Sequence, residues 1–502
     1  MADGILDVMW NEDQHEYRVS GWIFLRVLGV IYLVAFASLG SQVMGLIGSH
    51  GLLPAHLLLD ANITTFGPLE RFWRWPAIFW LWDGDTALRV GIGVGLAASA
   101  LLILNVAPRV CCVVLWAVYL SFTNVGQDFF TFQWDILLLE TGFLSIFFTP
   151  SHGWKGGRGE REPPRLVRWL LVLLLIRLNL ESGISKWASG DETWRRLTAM
   201  DFYYETAPIP TVLGWWAHHL PHGVQALSVL GTFVVEIIVP LALFGPRKIR
   251  ILGALALIGF QIFIGLTANY GFFNLITIAL CLLVLDDAFW CRWVKRLQRV
   301  RERLARPATP ALFRVHPAVS YGLFAAMALL PLMCFLGFTG EGSLRKRTVA
   351  VVRPFHSINS YGLFANMTLE RWEVEILGSV DGVHWKAYPF RYKAGALDRR
   401  PPFVAPHQPR LDFQCWFLTF DGSGDFRQSR YLSRLLMRIS AGDRVAKSLL
   451  EADPFPDGGP KFLQVKVHRY QMTTLEEKQR TGNYWKIVET RDWSPVMSCD
   501  GK

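Results

Sequence analysis

Residues 124–142 read NVGQDFFTFQWDILLLETG, a stretch that begins in a polar turn and ends inside an apolar segment. Five polar or ionisable side chains lie along it: Gln127, Asp128, Gln133, Asp135 and Glu140. A charged group deep in a membrane costs about 2.5–3.5 kcal/mol on insertion scales, so it needs a partner or a task. These groups can simply pair with neighbouring helices. Five of them together favour a functional site or a docking rim.

The composition around this stretch is that of a polytopic membrane protein. Of the 502 residues, 52% are hydrophobic and 18% are charged, whereas soluble proteins carry about 25% charged residues. The 21 tryptophans are typical of chains whose amphipathic rings lie at membrane interfaces. The net charge of +10 is concentrated in a few loops, so we interpret it as a topology signal and expect no nucleic-acid partner.

Cysteine and histidine spacing argues against a metal centre. The seven cysteines form no CxxC pair and no metal-ligand pattern. We therefore expect no disulfide framework, with a single Cys415–Cys499 bridge as the open alternative. His218, His219 and His222 have no cysteine or carboxylate at a helpful spacing, so we favour no metal site. No cofactor is predicted, and no standard hydrolase, metalloprotease or nucleotide-binding motif occurs.

Hydropathy predicts a helical membrane domain over residues 1–340, with nine spans. They cover roughly residues 22–39, 87–106, 107–122, 132–148, 166–184, 224–244, 249–267, 272–285 and 319–338. Lysine and arginine cluster in the loops after spans four, six and eight, which predicts that these loops are cytosolic. The chain after residue 338 is then exoplasmic, as are the polar stretches 124–133, 186–221 and 269–274.

Residues 341–502 are predicted to form a β-rich exoplasmic domain, sandwich-like with helical additions. Residues 372–376 alternate apolar and polar side chains, and Asp381-Gly382 supplies the tight turn of a hairpin. The segment 399–410 has too many prolines for a helix and is predicted to be an ordered loop. Further elements are strands near residues 389–393, 414–419, 462–470 and 484–490, and a helix over residues 431–450.

Charged residues close the fifth predicted span. Arg177 and Glu181 are four residues apart on one helix face and can pair. Lys186 follows near the exoplasmic mouth. A lysine in a poorly solvated site has a lowered pKa and can act as a base, but it can equally extend its ammonium to the interface. Glu236, ahead of the helix-kinking Pro240, gives a transporter-like feature.

Several long strings resemble the lipase maturation factor family. They are GSHGLLP (48–54), FQWDILLLETG (132–142), SGISK (182–186) with TW (193–194), YYET (203–206), NYGFFN (269–274) and RRPPFVAPHQPRLD (399–412). The resemblance implies a multi-pass membrane protein, in the endoplasmic reticulum membrane of animals or the cytoplasmic membrane of bacteria. It also implies that the C-terminal domain meets an exported lipase or another secreted client.

These strings, with the polar stretches, define two sets of candidate residues. The exoplasmic motif comprises Gln127, Asp128, Gln133, Asp135, Glu140, Asp191, Trp194, Tyr204, Glu205, Asn269, Tyr270 and Asn274. The client-binding candidates are Arg399, Arg400, Pro401, Pro402, Phe403, His407 and Arg410. We interpret Glu140 as structural and expect Gln127, Asp128, Gln133 and Asp135 to be the exposed part of a site.

A weaker similarity is to the membrane part of vitamin K-dependent gamma-carboxylase. There a helix also ends in Gly-x-x-Lys, followed by an acidic residue and a tryptophan, which here are Gly183, Lys186, Asp191 and Trp194. Because that lysine is the catalytic base of the carboxylase, the similarity makes Lys186 a site candidate.

Three functions therefore stand as hypotheses. The leading one is a membrane-bound maturation factor that assists the folding of exported lipases or other exoplasmic clients. The alternative is a membrane enzyme with its site at the exoplasmic mouth, with Lys186 as base and Asp135, Glu140 and Glu181 as further members of the site. A small-molecule transporter is the weaker alternative.

Overall fold

The structure is a computed structural model that describes residues 16–149, 162–304, 322, 325–327, 352–419, 429–456 and 458–499. The described residues between 16 and 304 are mainly helical. The described residues between 352 and 499, here called the tail, contain a five-stranded sheet together with short helices. The first part contains α1 (Arg18–Gly40), α2 (Val43–Ile47), α3 (Ala55–Ile63), α4 (Glu70–Arg74), α5 (Asp85–Ile103), α6 (Pro108–Val125), α7 (Gln133–Phe148), α8 (Arg165–Ala188), α9 (Glu192–Arg195), α10 (Ala199–Thr206), α11 (Val212–His218), α12 (His222–Phe233), α13 (Val239–Ala242), α14 (Arg247–Thr267), α15 (Phe273–Leu282), α16 (Asp287–Trp293) and α17 (Lys295–Leu304).

Within the described residues, five helices are long and apolar enough to cross a membrane. They are α1, α5, α6, the continuous run His222–Ala242 and α14. Helices α15 and α16 meet at a bend of 103°, and they add a sixth crossing if they form one broken span. The chain is therefore an integral membrane protein with several spans.

The described residues do not confirm the predicted count of nine crossings. Helix α7 has only 16 residues, and the 24-residue α8 carries five charged side chains. The ninth predicted span, residues 319–338, lies largely outside the described residues. The positions of the first eight predicted spans match helices.

Two glycines of α5 allow the first spans to pack closely. A Cβ on Gly95 would lie 2.5 Å from the Phe36 ring of α1, and one on Gly91 would lie 3.1 Å from the Phe122 ring of α6. The predicted packing role of this GxxxG spacing is confirmed, because backbones that approach this closely leave no room for a side chain.

The tail is built on one antiparallel sheet with the order β2-β1-β3-β4, and β5 pairs with β3. Its elements are β1 (Arg371–Ser379), β2 (Trp385–Tyr388), α18 (Arg410–Trp416), α19 (Arg430–Ser440), α20 (Arg444–Lys447), β3 (Phe462–Met472), α21 (Leu475–Thr481), β4 (Trp485–Asp492) and β5 (Met497–Ser498). The predicted hairpin is confirmed by the pairing of Ser379 with Trp385, and the prolines before residue 410 form the predicted loop.

Three predictions for the tail differ from the structure. Residues 389–393 are irregular, because the Asp412 carboxylate accepts the N–H groups of Tyr392 and Lys393 over 2.7 and 3.1 Å. Residues 414–419 belong to α18 and a following 3₁₀ turn, not to a strand. The described residues therefore contain one sheet with helices, not two facing sheets, and no disulfide joins Cys415 to Cys499.

A single hydrophobic core runs from the helices into the tail. At the junction, the Phe413 ring of α18 packs edge-on against Phe132 and Trp134, with ring centroids 5.2 and 4.7 Å apart. Since Phe132 and Trp134 belong to the opening stretch 124–142, this stretch forms part of the surface on which the tail packs.

Candidate functional site

Asp135 and Arg410 form a buried ion pair that joins the helices to the tail. Arg410 is 1% exposed and donates to both carboxylate oxygens of Asp135, over 2.7 and 2.8 Å. Its Nη1 also donates to the Phe129 carbonyl over 2.6 Å, and the Tyr119 hydroxyl donates to Asp135. A bidentate arginine–carboxylate pair fixes the geometry of both groups. The pair therefore determines where the preceding loop lies.

A second anchor is built around Arg177. This guanidinium donates to Glu140 and to Glu181, over 3.2 Å each, so the predicted Arg177–Glu181 pair is confirmed. A tail segment completes the cluster: the Asn359 carbonyl accepts from Arg177 over 2.6 Å, and the Tyr361 N–H donates to Glu181 over 2.7 Å. The Tyr361 hydroxyl donates to Glu140 over 2.9 Å. Glu140 thus binds the tail as well as its helical neighbour.

The turn between α14 and α15 holds the proline-rich loop. Asn269 Oδ1 accepts the N–H groups of Val404 and Ala405, each over 2.8 Å, and Nδ2 donates to the Pro402 carbonyl over 2.9 Å. The turn requires Gly271, whose φ of +56° lies in the region that favours glycine. The Asn269 side chain therefore both donates hydrogen bonds to the backbone of the proline-rich loop and accepts hydrogen bonds from it.

The stretch after α8 binds a further part of the tail. Asp191 accepts the Met367 N–H over 2.6 Å, and Trp194 Nε1 donates to the Phe364 carbonyl over 3.0 Å. Burial raises the pKa of Asp191, but the hydrogen bonds from Met367 and Thr193 outweigh it and hold this pKa below its usual value. The Asp191 carboxylate is consequently ionised when it accepts the hydrogen bond from the Met367 N–H.

Helix α10 meets the sheet through Glu205. Its carboxylate accepts the Met472 N–H over 2.8 Å and lies 3.8 Å from the His218 ring. Burial raises the pKa of Glu205 and lowers the pKa of His218 to about 4. Both shifts favour the neutral forms. The neighbouring Tyr204 is buried, which raises its pKa to about 12.

Lys186 does not reach the interface as a free ammonium. It is 3% exposed, and its Nζ donates to both carboxylate oxygens of Glu236, over 2.9 and 2.7 Å. The Nζ atom also lies 5.4 Å from the centroid of the Trp194 ring. The expected grouping of Lys186 with Asp135, Glu140 and Glu181 is not found, because those carboxylates bind arginines.

The backbone around Glu236 explains how the pair forms. Residues Val234–Ile238 form a π-helical turn just before Pro240, at the predicted kink. A Cβ on Gly183 would lie 2.6 Å from Ile237 and 3.0 Å from Glu236, so only glycine lets α8 come this close. Single π turns of this kind are frequent at functional sites. Sequence reasoning considered Glu236 and Lys186 separately, although the rule that intramembrane charges pair could have joined them.

The lysine–carboxylate pair lines a cavity of about 1100 Å³ between the helices and the tail. Its wall combines apolar rings with a few polar groups from both parts of the chain. Tyr270, from the predicted exoplasmic motif, lines this cavity and donates to the Tyr203 hydroxyl over 3.0 Å. Asn274 lies behind the wall and donates to Gln261 over 2.9 Å.

The expectation that Asp135 belongs to an exposed surface is wrong, since its side chain is fully buried. Gln127, Asp128 and Gln133 are partly exposed. Gln127 donates to the Leu53 carbonyl over 3.0 Å, and Asp128 lies 3.5 Å from Arg430 of the tail. Only Gln133 faces the cavity. The polar residues of the opening stretch therefore serve separate contacts and form no single site.

The client-binding candidates divide by exposure. Arg400 and Phe403 are exposed, Phe403 to 55%. Pro402 and His407 are half-buried, and Arg399 donates to the Phe390 carbonyl over 2.7 Å. Two candidates are unavailable to a client because they are buried: Pro401 and Arg410.

Two of the three neighbouring histidines, His219 and His222, contact other groups of the protein. The ring nitrogens of His219 lie 2.7 Å from the Trp215 carbonyl and 2.9 Å from the Thr473 carbonyl. His222 lies 2.9 Å from Asp201. Across the part of the chain that the structure describes, no group of three or more metal-ligating side chains occurs.

Fold and contacts together define a multi-pass membrane protein whose C-terminal sheet domain is anchored on its helices. Residues 19–292 match the model of the lipase maturation factor transmembrane domain, and residues 357–495 match that of the lipase maturation factor C-terminal domain. The chain belongs to the lipase maturation factor family, as the sequence strings predicted.

Curated relatives cover nearly the whole chain. Lipase maturation factor 2 of Mus musculus is 32% identical over 96% of this chain and 83% of its own length. Lipase maturation factor 1 of Mus musculus is also 32% identical, over 93% and 84%. Lipase maturation factor 1 of Homo sapiens is 30% identical, over 95% and 88%. No solved structure matches the chain.

Proposed function

We propose that this protein is a membrane-bound maturation factor that assists the folding or assembly of exported lipases or other secreted clients. Its relatives are named lipase maturation factors. The structural observation that supports it is the anchored tail: the buried Asp135–Arg410 ion pair and the hydrogen bonds from Asn359 and Tyr361 to Glu140 hold the sheet domain on the helices. A docking surface held in this way keeps one orientation relative to the membrane.

The topology belongs to the same proposal. We propose nine crossings, with residues 1–340 as the helical domain and residues 341–502 on the exoplasmic side of the membrane. The membrane is that of the endoplasmic reticulum in a eukaryote and the cytoplasmic membrane in a bacterium. The clustering of lysine and arginine in alternate loops supports this orientation. Secreted clients pass through the exoplasmic side of the membrane.

Client contact is assigned to the exposed part of the proline-rich loop. Phe403 projects an apolar ring and Arg400 a cation, and these residue types dominate protein interfaces. The rest of the loop is fixed through Asn269 and Arg410. The loop thus presents its two exposed side chains from a rigid base.

The test is secretion of active lipase from cells that lack their own maturation factors and express this chain. The double variant Phe403→Ala/Arg400→Ala should lower secreted activity strongly at unchanged protein level. The matched control, Val383→Ala/Lys386→Ala, removes an exposed apolar and an exposed basic side chain from the β1–β2 hairpin. Equal activity of the two double variants would refute the loop as the client contact.

The enzyme alternative is separated by a second pair of substitutions. Lys186→Gln combined with Glu236→Gln removes the acid and the base but keeps hydrogen-bonding groups at both positions. A maturation factor that works by docking retains client activity with this variant. Loss of activity at a normal protein level and thermal stability would favour catalysis at Lys186.

A further inference from the structure

The cavity beside Lys186 remains unexplained by the anchoring contacts. It has a volume of about 1100 Å³, at the upper end of the roughly 300–1,000 Å³ typical of small-molecule pockets. Its wall is mainly apolar and aromatic, with rings such as Trp194, Tyr203, Phe364 and Trp416. A wall of this kind suits a hydrocarbon ligand.

Polar side chains interrupt this apolar wall. Lys186 and Glu236 carry opposite charges and neutralise each other. Gln133 also lines the cavity. The Gln133 amide and the Glu236 carboxylate are residue types that can accept a hydrogen bond from an uncharged hydroxyl-bearing group. An ionised ligand is disfavoured, because it would add a net charge to a poorly solvated space.

The cavity has a side entrance between two membrane helices. The run His222–Ala242 touches α14 near Gly253, where a Cβ would lie 3.2 Å from Leu243. Helix α11 touches the other end of α14, since a Cβ on Gly214 would lie 2.3 Å from the Thr267 carbonyl. Between these contacts the cavity wall includes Gly231 and Phe263, which are both exposed.

Because both helices are candidate spans, this entrance opens toward the hydrocarbon of the bilayer. We propose that the cavity binds a membrane amphiphile with one acyl chain and an uncharged, hydroxyl-bearing head, which enters between α12 and α14. The chain lies among the aromatic rings, and the head meets Gln133 and the Lys186–Glu236 pair. Monoacylglycerol is the chemical class that has both this acyl chain and this uncharged, hydroxyl-bearing head.

The test uses the full chain in lipid nanodiscs and a monoacylglycerol probe with a photoreactive diazirine in its acyl chain. Labelled peptides should come from α8, α12, α14 and the tail segment around Phe364. Gly231→Phe should lower labelling about tenfold, equivalent to about 1.4 kcal/mol of binding free energy. A second variant, Ala256→Phe, narrows the same entrance from α14 and should act likewise.

Gly259→Phe is the matched control. Gly231 and Gly259 are both exposed helix glycines with no atom within 4 Å of an added Cβ, but only Gly231 lines the cavity. Equal labelling of Gly231→Phe and Gly259→Phe would overturn the proposal. A fatty-acid probe with the same diazirine should label the cavity more weakly, and labelling as strong as that of monoacylglycerol would refute the uncharged head. Lipase secretion does not enter this readout, so the result is independent of the maturation role.

Discussion

Three carboxylates inside the helical part are tolerated because each of them meets a cation. Asp135 meets Arg410, Glu140 meets Arg177, and Glu236 meets Lys186. Removing one member of such a pair leaves an uncompensated charge in a poorly solvated place, which is far more damaging than removing a surface pair.

Asp135→Asn should destabilise the protein by about 3–5 kcal/mol, since it leaves the Arg410 guanidinium buried without its counter-ion. Thermal unfolding in detergent measures the change. The control is Arg430→Ala, which breaks the exposed Asp128–Arg430 pair and should change stability little, because such pairs contribute about 0–1 kcal/mol. Similar losses in both variants would contradict the ranking of the two contacts.

His218 should make the protein sensitive to acid. Burial lowers its pKa from 6.5 to about 4, so between these pH values the unfolded chain binds a proton that the folded chain does not. Stability is therefore full above pH 6.5 and falls as the pH drops toward 4. His218→Gln should flatten this part of the stability profile, measured as Tm against pH. An unchanged slope in the variant would show that other groups cause the acid sensitivity.

At the scale of elements, glycine positions decide how closely the helices pack. Gly95→Ala should destabilise the protein by about 1–3 kcal/mol, because the added methyl group meets the Phe36 ring. Gly93→Ala, on the open side of the same helix, has no atom within 4 Å and should be neutral or slightly stabilising. Melting in detergent compares the two, and an equally stable Gly95→Ala protein would contradict the close contact.

Elements that follow from local pattern could be predicted from the sequence. The hairpin with its Asp381-Gly382 turn, the later strands and the helix break near residue 271 belong to this group. The strand predictions for segments 389–393 and 414–419 were wrong, because distant contacts override strand propensity there. Asp412 fixes the first, and in the second Trp416 Nε1 donates to the Thr206 carbonyl of α10 over 2.9 Å.

For the whole molecule, the main limit of sequence reasoning was pairing over long distances along the chain. The residue types at Asp135, Lys186 and Asn269 marked them as unusual. Nothing local indicates that Asp135 meets Arg410, or that Asn269 meets the backbone of residues 402–405. The sequence therefore marks these positions as unusual polar groups, while their partners had to come from the structure.

The helices and the tail should stay together without a covalent link. A protease site inserted after residue 338, beyond the ninth predicted span, allows the chain to be cut after purification in detergent. The tail fragment should remain on a resin that holds the helical fragment, because a buried ion pair and a shared core join them. Asp135→Asn combined with Glu140→Gln should release it. Release from the unsubstituted protein would show that the anchors are weak.

The Asp135–Arg410 pair also imposes an order on biosynthesis. The two residues are 275 positions apart, so the ribosome delivers the carboxylate to the membrane long before its guanidinium exists. During that interval the nascent helical bundle holds an uncompensated charge, and it cannot reach its final packing until the proline-rich loop has emerged. A protein assigned to the maturation of others thus depends on the last third of its own chain to complete the first.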